Sequence, residues 1–230
     1  MNKPLRLAVF DCDGTLVDSQ HSIIAAVKTA CQAHHVSAPA PETVRRLVGL
    51  PLDESFSRLV PGADEETCIR LGQSYRDAYS VLRLERQVEE PLYPGAVEGL
   101  EALAECGWLL GVATGKSFRG LAATLSGHNL EGMFQTLQTP DEARGKPHPE
   151  MLFNAMSETG VEAGMTIMIG DTTYDMEMAQ SAGSLAVGVT WGYHEPAELQ
   201  AAGADCIVEG FADLPRALAA LLDGKPGERE

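Results

Sequence analysis

Short apolar runs alternate with helical patterns along most of this chain. The apolar runs have the length of strands and contain few polar positions, which is typical of a parallel sheet that is buried on both faces. They predict strands at 5–10, 108–113, 134–138, 166–169, 185–189 and 206–208. Apolar residues at helical spacing predict helices between them, at about 117–126, 149–159, 175–182 and 214–222. This alternation indicates an α/β fold with a doubly wound, Rossmann-like parallel sheet.

The stretch between the first two strands differs, because no part of it from residue 18 to residue 90 has the pattern of a strand. Its apolar residues recur at helical spacing and predict several helices, among them 42–48 and a long one at 64–87, in which Ile69 is expected to face inward. We therefore predict an all-helical domain inserted after the first strand. The predicted domains are an α/β core of residues 1–17 and 91–230 and a helical insert of residues 18–90.

The chain crosses between these two predicted domains near residues 17–18 and again near 90–93. Two adjacent crossings can act as a hinge, which lets a cap close over a site and exclude water. The polar tail 224–230 follows the last predicted helix, and we expect it to be disordered.

The composition narrows the possible partners of this 230-residue protein. Its formal net charge of −16 argues against nucleic acid, because binding a phosphate backbone requires a positive surface. A small anionic substrate is still compatible, since a metal, a lysine and helix N-termini make a pocket locally positive. No stretch has the length of a membrane span and no signal peptide is recognised, so we expect a cytoplasmic protein without a membrane partner. The five scattered cysteines lack a C-x-x-C pair and are expected to be reduced thiols.

Two aspartates follow the first predicted strand directly. Asp11 and Asp13 lie two residues apart on an extended backbone, so their side chains are expected to point to the same side. They stand at the carboxyl end of the strand, the edge where open α/β sheets bind ligands. Two carboxylates this close raise each other's pKa unless a cation lies between them. The pair therefore indicates either a shared proton or a divalent metal, although a simple strand-end turn at Gly14 is the plainer alternative.

Two further segments follow strands or loops of the predicted core and carry groups suited to an anion. Thr114 and Gly115 end the second strand, where a hydroxyl and free backbone N–H groups at a helix N-terminus form a cradle for a phosphoryl group. The alternative is that Thr114 only caps that helix. Lys146 lies in a loop whose prolines hold the backbone still, which suits a lysine that must be at a fixed position. His148, between two prolines, is expected to pack against its surroundings or to cap the next helix rather than to act as a base.

A third segment brings two more carboxylates to the same edge. Asp171 follows the strand at 166–169, and Asp175 lies in the first turn of the next helix, where a negative charge also favours the helix dipole. Several carboxylates at one edge of a sheet require a cation. Because no cysteine or histidine cluster accompanies them, an oxygen-lined Mg²⁺ site is expected rather than a zinc site.

Together these segments resemble the motifs of the haloacid dehalogenase superfamily, and the resemblance covers nearly the whole chain. The matching motifs, in the order of the family, are Asp11-Cys12-Asp13-Gly14-Thr15, Thr114, Lys146 and Gly170-Asp171-Thr172-Thr173-Tyr174-Asp175. The helical insert resembles the C1 cap of that superfamily. The layout, including Leu92-Tyr93-Pro94-Gly95, is similar to the phosphoglycolate-phosphatase-like branch.

The resemblance implies a phosphatase that acts on a small phosphorylated metabolite. Asp11 would attack phosphorus to form an aspartyl-phosphate, and Asp13 would be the general acid and base. Mg²⁺ would be bound by Asp11, by the main-chain carbonyl of Asp13 and by Asp171, with Asp175 in support. The phosphoryl oxygens would be bound by Thr114, Gly115 and Lys146.

Other activities share these motifs. A sugar phosphomutase keeps all of them and differs in contacts of the cap, and a related branch hydrolyses inorganic pyrophosphate. Asp13 argues against a dehalogenase, which needs no acid at this position. From a different class, a phospho-accepting receiver domain also combines carboxylates, a threonine, a lysine and Mg²⁺, but it has no helical cap.

The choice of substrate is expected to lie in the helical insert. Arg45 and Arg46 precede the loop at 49–51, and at most one of them can point at a substrate, because adjacent helical positions diverge by about a hundred degrees. If one does, a carboxylate- or phosphate-bearing leaving group would fit, while the alternative is that both lie on a solvated face. The residues do not indicate an oligomeric state.

Overall fold

The computed structural model describes residues 4–224 and contains a six-stranded sheet in which all neighbouring strands are parallel. The strands are β1 (Leu7–Phe10), β2 (Leu109–Ala113), β3 (Thr136–Gln138), β4 (Thr166–Gly170), β5 (Leu185–Val189) and β6 (Cys206–Val208). Their order across the sheet is β3-β2-β1-β4-β5-β6. The predicted doubly wound α/β fold is confirmed. Residues 1–3 of the predicted core and residues 225–230 of the predicted disordered tail lie outside the described residues.

Strand β1 lies inside the sheet and is fully buried, because strands pair with it on both sides and helices cover both faces. Phe10 at its end is in register with Val112 of β2 and Ile169 of β4. The segments that follow these three strands therefore meet at one edge of the sheet. From β1 the chain continues to one side and from β4 to the other, and open α/β sheets bind ligands in the crevice at such a reversal.

Four of the described helices lie between residues 18 and 90, in the segment that follows β1 along the chain, and we call them the cap. They are α1 (Gln20–Ala33), α2 (Pro41–Arg45), α3 (Leu52–Leu59) and α4 (Glu65–Leu84). They pack around an apolar cluster of their own, in which Phe56 and Leu71 are fully buried. Residues 18–90 of the described chain contain no strand, as predicted for this segment.

Two details of the cap differ from the predictions. Helix α2 ends at Arg45 rather than at residue 48, because the backbone then tightens into turns such as Leu47 N–H to Val44 C=O. Ile69 is 57% exposed, whereas its neighbours Cys68 and Leu71 are buried. The prediction for Ile69 is therefore wrong, and Cys68, one position earlier, faces the cap interior at the start of α4.

Six helices cover the two faces of the sheet. They are α5 (Ala96–Glu105), α6 (Phe118–Gly127), α7 (Glu150–Thr159), α8 (Thr173–Ala182), α9 (Pro196–Ala201) and α10 (Leu214–Asp223). One apolar cluster joins the sheet to α5, α6 and α10 through residues such as Leu100 and Leu121. A second cluster joins the opposite face to α7, α8 and α9 through residues such as Met151 and Leu199. No described helix has both the length and the apolar character needed to span a membrane.

Helix α9 was not predicted from the sequence. It has six residues, and Leu199 alone among them is buried, so it presents no apolar periodicity for a pattern to detect. Pro196 starts it, which is a favourable place for proline because the first N–H groups of a helix have no partner within it.

The two crossings between core and cap lie side by side. Val17 forms an antiparallel bridge with Leu92. The N–H of Asp18 donates to the carbonyl of Pro91 over 2.8 Å, and the N–H of Tyr93 donates to the carbonyl of Leu16 over 3.0 Å. These bonds join the chain entering the cap to the chain leaving it. That the two crossings act as a hinge stays a prediction.

Replacing a buried side chain of β2 should destabilise the protein far more than replacing an exposed one in the cap. For Leu110→Ala, which leaves a cavity in the fully buried sheet, we expect the free energy of unfolding to fall by about 2–5 kcal/mol. For Leu84→Ala, at a residue that is 80% exposed, the change should stay within about 0.5 kcal/mol. Urea unfolding followed by circular dichroism measures both, and equal losses would contradict the packing described here.

Candidate active site

The polar residues singled out in the sequence collect at one edge of the sheet. Asp11 follows β1, Thr114 follows β2 and Asp171 follows β4. Asp175 lies in the first turn of α8, and Lys146 lies in the loop that precedes α7. All five side chains are buried, although polar residues are rarely so unless they are paired.

Three carboxylates and one ammonium form the centre of this edge. Oxygen atoms of Asp11, Asp171 and Asp175 lie within 4.8 Å of one another. The Nζ atom of Lys146 is 2.8 Å from Oδ1 of Asp11 and 2.6 Å from Oδ1 of Asp175. One ammonium group thus shares a buried space with three carboxyl groups. Oδ2 of Asp11 is also buried and has no hydrogen-bond partner among the described residues.

The charge balance perturbs the carboxylates strongly. Burial raises the pKa of Asp11 to about 7, with Lys146 opposing the shift and Asp175 adding to it. Burial also raises the pKa of Asp171 well above its usual value, and the charges of Asp11 and Asp175 raise it further. These groups need an additional cation to be ionised together. The donors offered are all oxygens, without a sulfur or imidazole ligand in the described cluster, which fits Mg²⁺.

Asp171 is held in place from two sides. The hydroxyl of Thr15 donates to its Oδ1 over 2.9 Å, and the N–H of Tyr193 donates to its Oδ2 over 2.9 Å. Gly14 lies directly against it with a φ of +88°, and a Cβ at that position would collide with the Asp171 carboxylate. The glycine after Asp13 is therefore required both by its left-handed backbone and by the approach of Asp171.

Asp175 makes contacts with both of its carboxylate oxygens. Its Oδ2 accepts hydrogen bonds from the N–H of Thr172 over 3.1 Å and from the hydroxyl of Thr172 over 2.7 Å, which caps α8. Its Oδ1 faces Lys146. The same carboxylate thus fixes the start of a helix and the position of the buried ammonium.

The carboxylate of Asp13 lies apart from the cluster of three. Its Oδ1 accepts a hydrogen bond from the hydroxyl of Ser19, and the Nζ atom of Lys116 forms an ion pair with the same oxygen. Asp11 and Asp13 therefore each have a lysine of their own, Lys146 and Lys116, instead of one cation between their side chains. A metal contact through the main-chain carbonyl of Asp13 stays a prediction.

The segment after β2 does not cap α6 with its threonine. Ser117 is the N-cap, and its side chain accepts from the N–H of Gly120 over 3.3 Å. The hydroxyl of Thr114 accepts instead from the N–H of Lys116 over 3.2 Å and stays at the edge of the sheet. Gly115 touches the cap, since a Cβ there would lie 3.1 Å from the carbonyl oxygen of Gly49.

His148 caps a helix, as expected. Its Nδ1 accepts a hydrogen bond from the N–H of Glu150 over 3.2 Å at the start of α7. It helps to fix the loop that carries Lys146 and does not belong to the carboxylate cluster.

Sequence reasoning missed two residues of the site, Lys116 and Glu90. Lys116 pairs with Asp13 and lies 3.0 Å from Oε1 of Glu90, a residue at the second crossing between cap and core. Burial alone would raise the pKa of Glu90, but Lys116, the Tyr79 hydroxyl and Arg83 together lower it to about 2. The available signal was the position of Lys116, a charged residue two places after Thr114 at the edge where the other polar groups collect.

A cavity of about 730 Å³ lies between cap and core and reaches the site at Asp13. Cap residues such as Phe56 and Tyr75 form its apolar wall. Its positively charged lining residues are Arg76, Arg83, Lys116, Arg119 and Arg144.

Arg45 and Arg46 are not among the residues that line this cavity. Arg45 donates to Gln20 over 3.1 Å and to Glu42 over 3.2 Å, and Arg46 pairs with Glu198 of the core. The contacts of the two arginines thus favour the alternative of a structural, partly solvated role.

The chain is similar to known proteins over most of its length. The protein-family model that describes haloacid dehalogenase-like hydrolases matches residues 8–189 of this chain. The probable phosphatase IndB of Dickeya dadantii is 39% identical over 221 residues, which cover 94% of each chain. A phosphoglycolate phosphatase of Mannheimia succiniciproducens is 31% identical over 225 residues, which cover 93% of this chain and 98% of that protein. A crystal structure of a predicted phosphatase from Clostridium acetobutylicum matches with a TM-score of 0.83 at 28% identity and covers 94% of this chain and 99% of that one.

These matches span both the core and the cap. The resemblance stated from the sequence is therefore confirmed: the chain belongs to the family of haloacid dehalogenase-like hydrolases.

Proposed function

We propose that this protein is a Mg²⁺-dependent phosphatase that hydrolyses a small phosphomonoester through an aspartyl-phosphate on Asp11. One observation carries the proposal. A buried carboxylate with a free oxygen lies beside a lysine and two further carboxylates, while a second aspartate stands apart at the wall of the cavity. This arrangement separates a nucleophile from an acid–base group, which phosphoryl transfer through an enzyme-bound intermediate requires.

Asp11 is suited to nucleophilic attack because its two oxygens differ. Its Oδ1 accepts from the N–H of Cys12 over 2.6 Å and faces Lys146, so the carboxylate cannot rotate freely. Its Oδ2 has no partner among the described residues and is left to react. Attack on phosphorus forms a bond between this aspartate and the phosphoryl group and breaks the bond from phosphorus to the leaving oxygen.

Asp13 would supply the proton for that leaving oxygen. It lines the cavity in which a leaving group would lie, and its side chain is outside the metal-binding cluster. In the second half of the reaction a water attacks the aspartyl-phosphate, its proton passes to Asp13, and Asp11 and inorganic phosphate are released. Each turnover thus returns both aspartates to their starting state.

The remaining groups would stabilise negative charge. Thr114, the backbone N–H of Gly115 and Lys146 bind the phosphoryl oxygens, and Lys146 also offsets the charge of Asp11 and Asp175. Asp11, Asp171 and the main-chain carbonyl of Asp13 would hold Mg²⁺, supported by Asp175, and the ion would neutralise the charge of the phosphoryl group.

The substrate is a small phosphorylated metabolite, and we infer that its leaving group is anionic, as in phosphoglycolate. The relatives named phosphatase and phosphoglycolate phosphatase support this class. The cavity supports it as well, because Arg76 of the cap and Arg119 of the core line it, and arginine is suited to carboxylates and phosphates. A phosphate-release screen with Mg²⁺ over phosphoglycolate, sugar phosphates, nucleotides and pyrophosphate tests this choice. It also separates the phosphatase from a phosphomutase or a pyrophosphatase.

Asp11→Asn should abolish turnover, because the amide cannot form the aspartyl-phosphate. We expect kcat for the best substrate of the screen to fall by at least about a thousandfold, with an unchanged melting temperature or a higher one. Asp223→Asn, at an exposed aspartate at the end of α10, is the matched control and should leave kcat unchanged. Turnover by Asp11→Asn comparable to the native protein would contradict the covalent mechanism.

Binding of Mg²⁺ should be separable from turnover. Added Mg²⁺ should raise the melting temperature of the native protein without substrate, because it binds the folded state, and EDTA should reverse the effect. Asp171→Asn should lose this rise. Asp13→Asn should keep it while losing turnover, because the main-chain carbonyl proposed as the ligand is still present. Loss of the Mg²⁺ effect in Asp13→Asn would show that the carboxylate itself is needed for the metal.

The arginines of the cavity should matter for the substrate more than those of the cap surface. Arg76→Ala and Arg119→Ala should each raise KM for an anionic substrate about tenfold with little change in kcat, since a charged hydrogen bond contributes about 1.5–3 kcal/mol. Arg45→Ala and Arg46→Ala are the controls and should change kcat/KM by less than about twofold. A higher KM for Arg45→Ala or Arg46→Ala, with unchanged kinetics for Arg76→Ala and Arg119→Ala, would show instead that Arg45 or Arg46 binds the substrate.

A further inference from the structure

Glu90 collects hydrogen-bond donors from both parts of the molecule. On the cap side, the hydroxyl of Tyr79 donates to its Oε1 over 2.6 Å and Nη2 of Arg83 donates to its Oε2 over 3.1 Å. On the core side, the hydroxyl of Thr124 donates to Oε2 over 2.9 Å and Nζ of Lys116 is 3.0 Å from Oε1. The side chain of Glu90 is only 7% exposed, so these donors replace the hydrogen bonds that water would make to an exposed carboxylate.

Lys116 connects this junction to the candidate acid–base group. Its Nζ atom pairs with Oδ1 of Asp13 as well as with Glu90, and its side chain is 9% exposed. The ring of Tyr79 lies 5.6 Å from the same ammonium. Two carboxylates already neutralise Lys116, whereas among the described residues no salt bridge joins the cavity residues Arg76 and Arg119 to a carboxylate. It is therefore better placed to hold Asp13 than to bind an anionic substrate.

The contacts also determine which oxygen of Asp13 can react. The hydroxyl of Ser19 and the ammonium of Lys116 both bind Oδ1. The second oxygen is thus the one that can carry the proton for the leaving group. A carboxylate without these two donors would rotate about its side-chain bonds and lose the fixed geometry that proton transfer requires.

We propose that Lys116 and Glu90 are a positioning pair that fixes the Asp13 carboxylate for acid–base catalysis while the cap is seated on the core. The inference rests on the proposed role of Asp13. The junction joins Tyr79 and Arg83 of α4 to Thr124 and Lys116 of the core through one carboxylate. Movement of the cap away from the core would remove the hydrogen bonds that Tyr79 and Arg83 of α4 donate to Glu90. Glu90 would then no longer be fixed beside Lys116. Asp13 is then fully positioned only over an enclosed substrate.

Leaving groups of different basicity test this role. An alkoxide must be protonated as it leaves, whereas p-nitrophenolate leaves without a proton. For Lys116→Met we expect kcat for the best alkyl phosphomonoester to fall by about 100-fold, the lower end of what general acid–base catalysis contributes, with KM changed by less than about threefold. The first-turnover release of p-nitrophenol from p-nitrophenyl phosphate should change by less than about threefold. Later turnovers should be slow, because hydrolysis of the aspartyl-phosphate also needs Asp13.

Variants of the junction complete the test. Glu90→Gln should show the same pattern with a smaller fall of about tenfold, and Tyr79→Phe, which removes only a hydroxyl, a fall of a few fold. Because Glu90 acts through Lys116, the double variant Lys116→Met with Glu90→Gln should be no slower than Lys116→Met alone. Glu89→Gln, at the exposed neighbouring glutamate, is the control and should match the native protein.

The outcomes separate the possible roles of Lys116. A rise in KM with unchanged kcat would make it a substrate-binding residue and overturn the proposal. An equal loss of p-nitrophenol release and of alkyl phosphate turnover would make its role merely structural, and that would also overturn it. If Lys116→Met does not fold, Tyr79→Phe decides by the same comparison of leaving groups. Failure of the native protein to hydrolyse any phosphomonoester would instead contradict the proposed function.

Discussion

The buried ammonium of Lys146, held between Asp11 and Asp175, is the interaction on which the candidate site depends. Carboxylates buried this deeply are very costly unless they are paired. Lys146 offsets part of that charge, and the negative charge that remains favours the binding of a further cation. The helix cap formed by Asp175 and the loop fixed by His148 both keep this lysine in place.

The sheet explains why residues from distant parts of the chain can share so small a space. Parallel strands in register end at the same edge of the sheet, so the segments after β1, β2 and β4 meet without long loops. The close approach of Gly14 to Asp171 shows how tightly they meet. The cap contributes a cavity wall rather than any of the three clustered carboxylates. Under the proposed function, recognition of the leaving group is thereby separated from the chemistry at the edge of the sheet.

The sequence predicted the fold and the groups that meet at the edge because both follow local rules. Buried strands appear as apolar runs, and the carboxylates follow them at fixed spacing. Lys116 and Glu90 were not predicted as site residues because no local sequence pattern encodes their contacts. Lys116 pairs with Asp13, 103 residues away, and with Glu90, 26 residues away. Helix α9 escaped because a single buried leucine has no periodicity. For Arg45 and Arg46 the helix left open whether one of them contacts a substrate, and only the packed cap reveals their other partners.

The bridge between Val17 and Leu92 has a consequence for how such a molecule can diverge. The chain enters and leaves the cap at adjacent points. The cap is therefore connected to the core in the same way as a short surface loop would be. Helices 20–84 can therefore be exchanged, lengthened or reshaped while the spacing of those two anchor points is kept, and the strands need not shift. Substitutions that change the ligand preference of the cap can therefore accumulate without lowering the stability of the α/β core or altering its site.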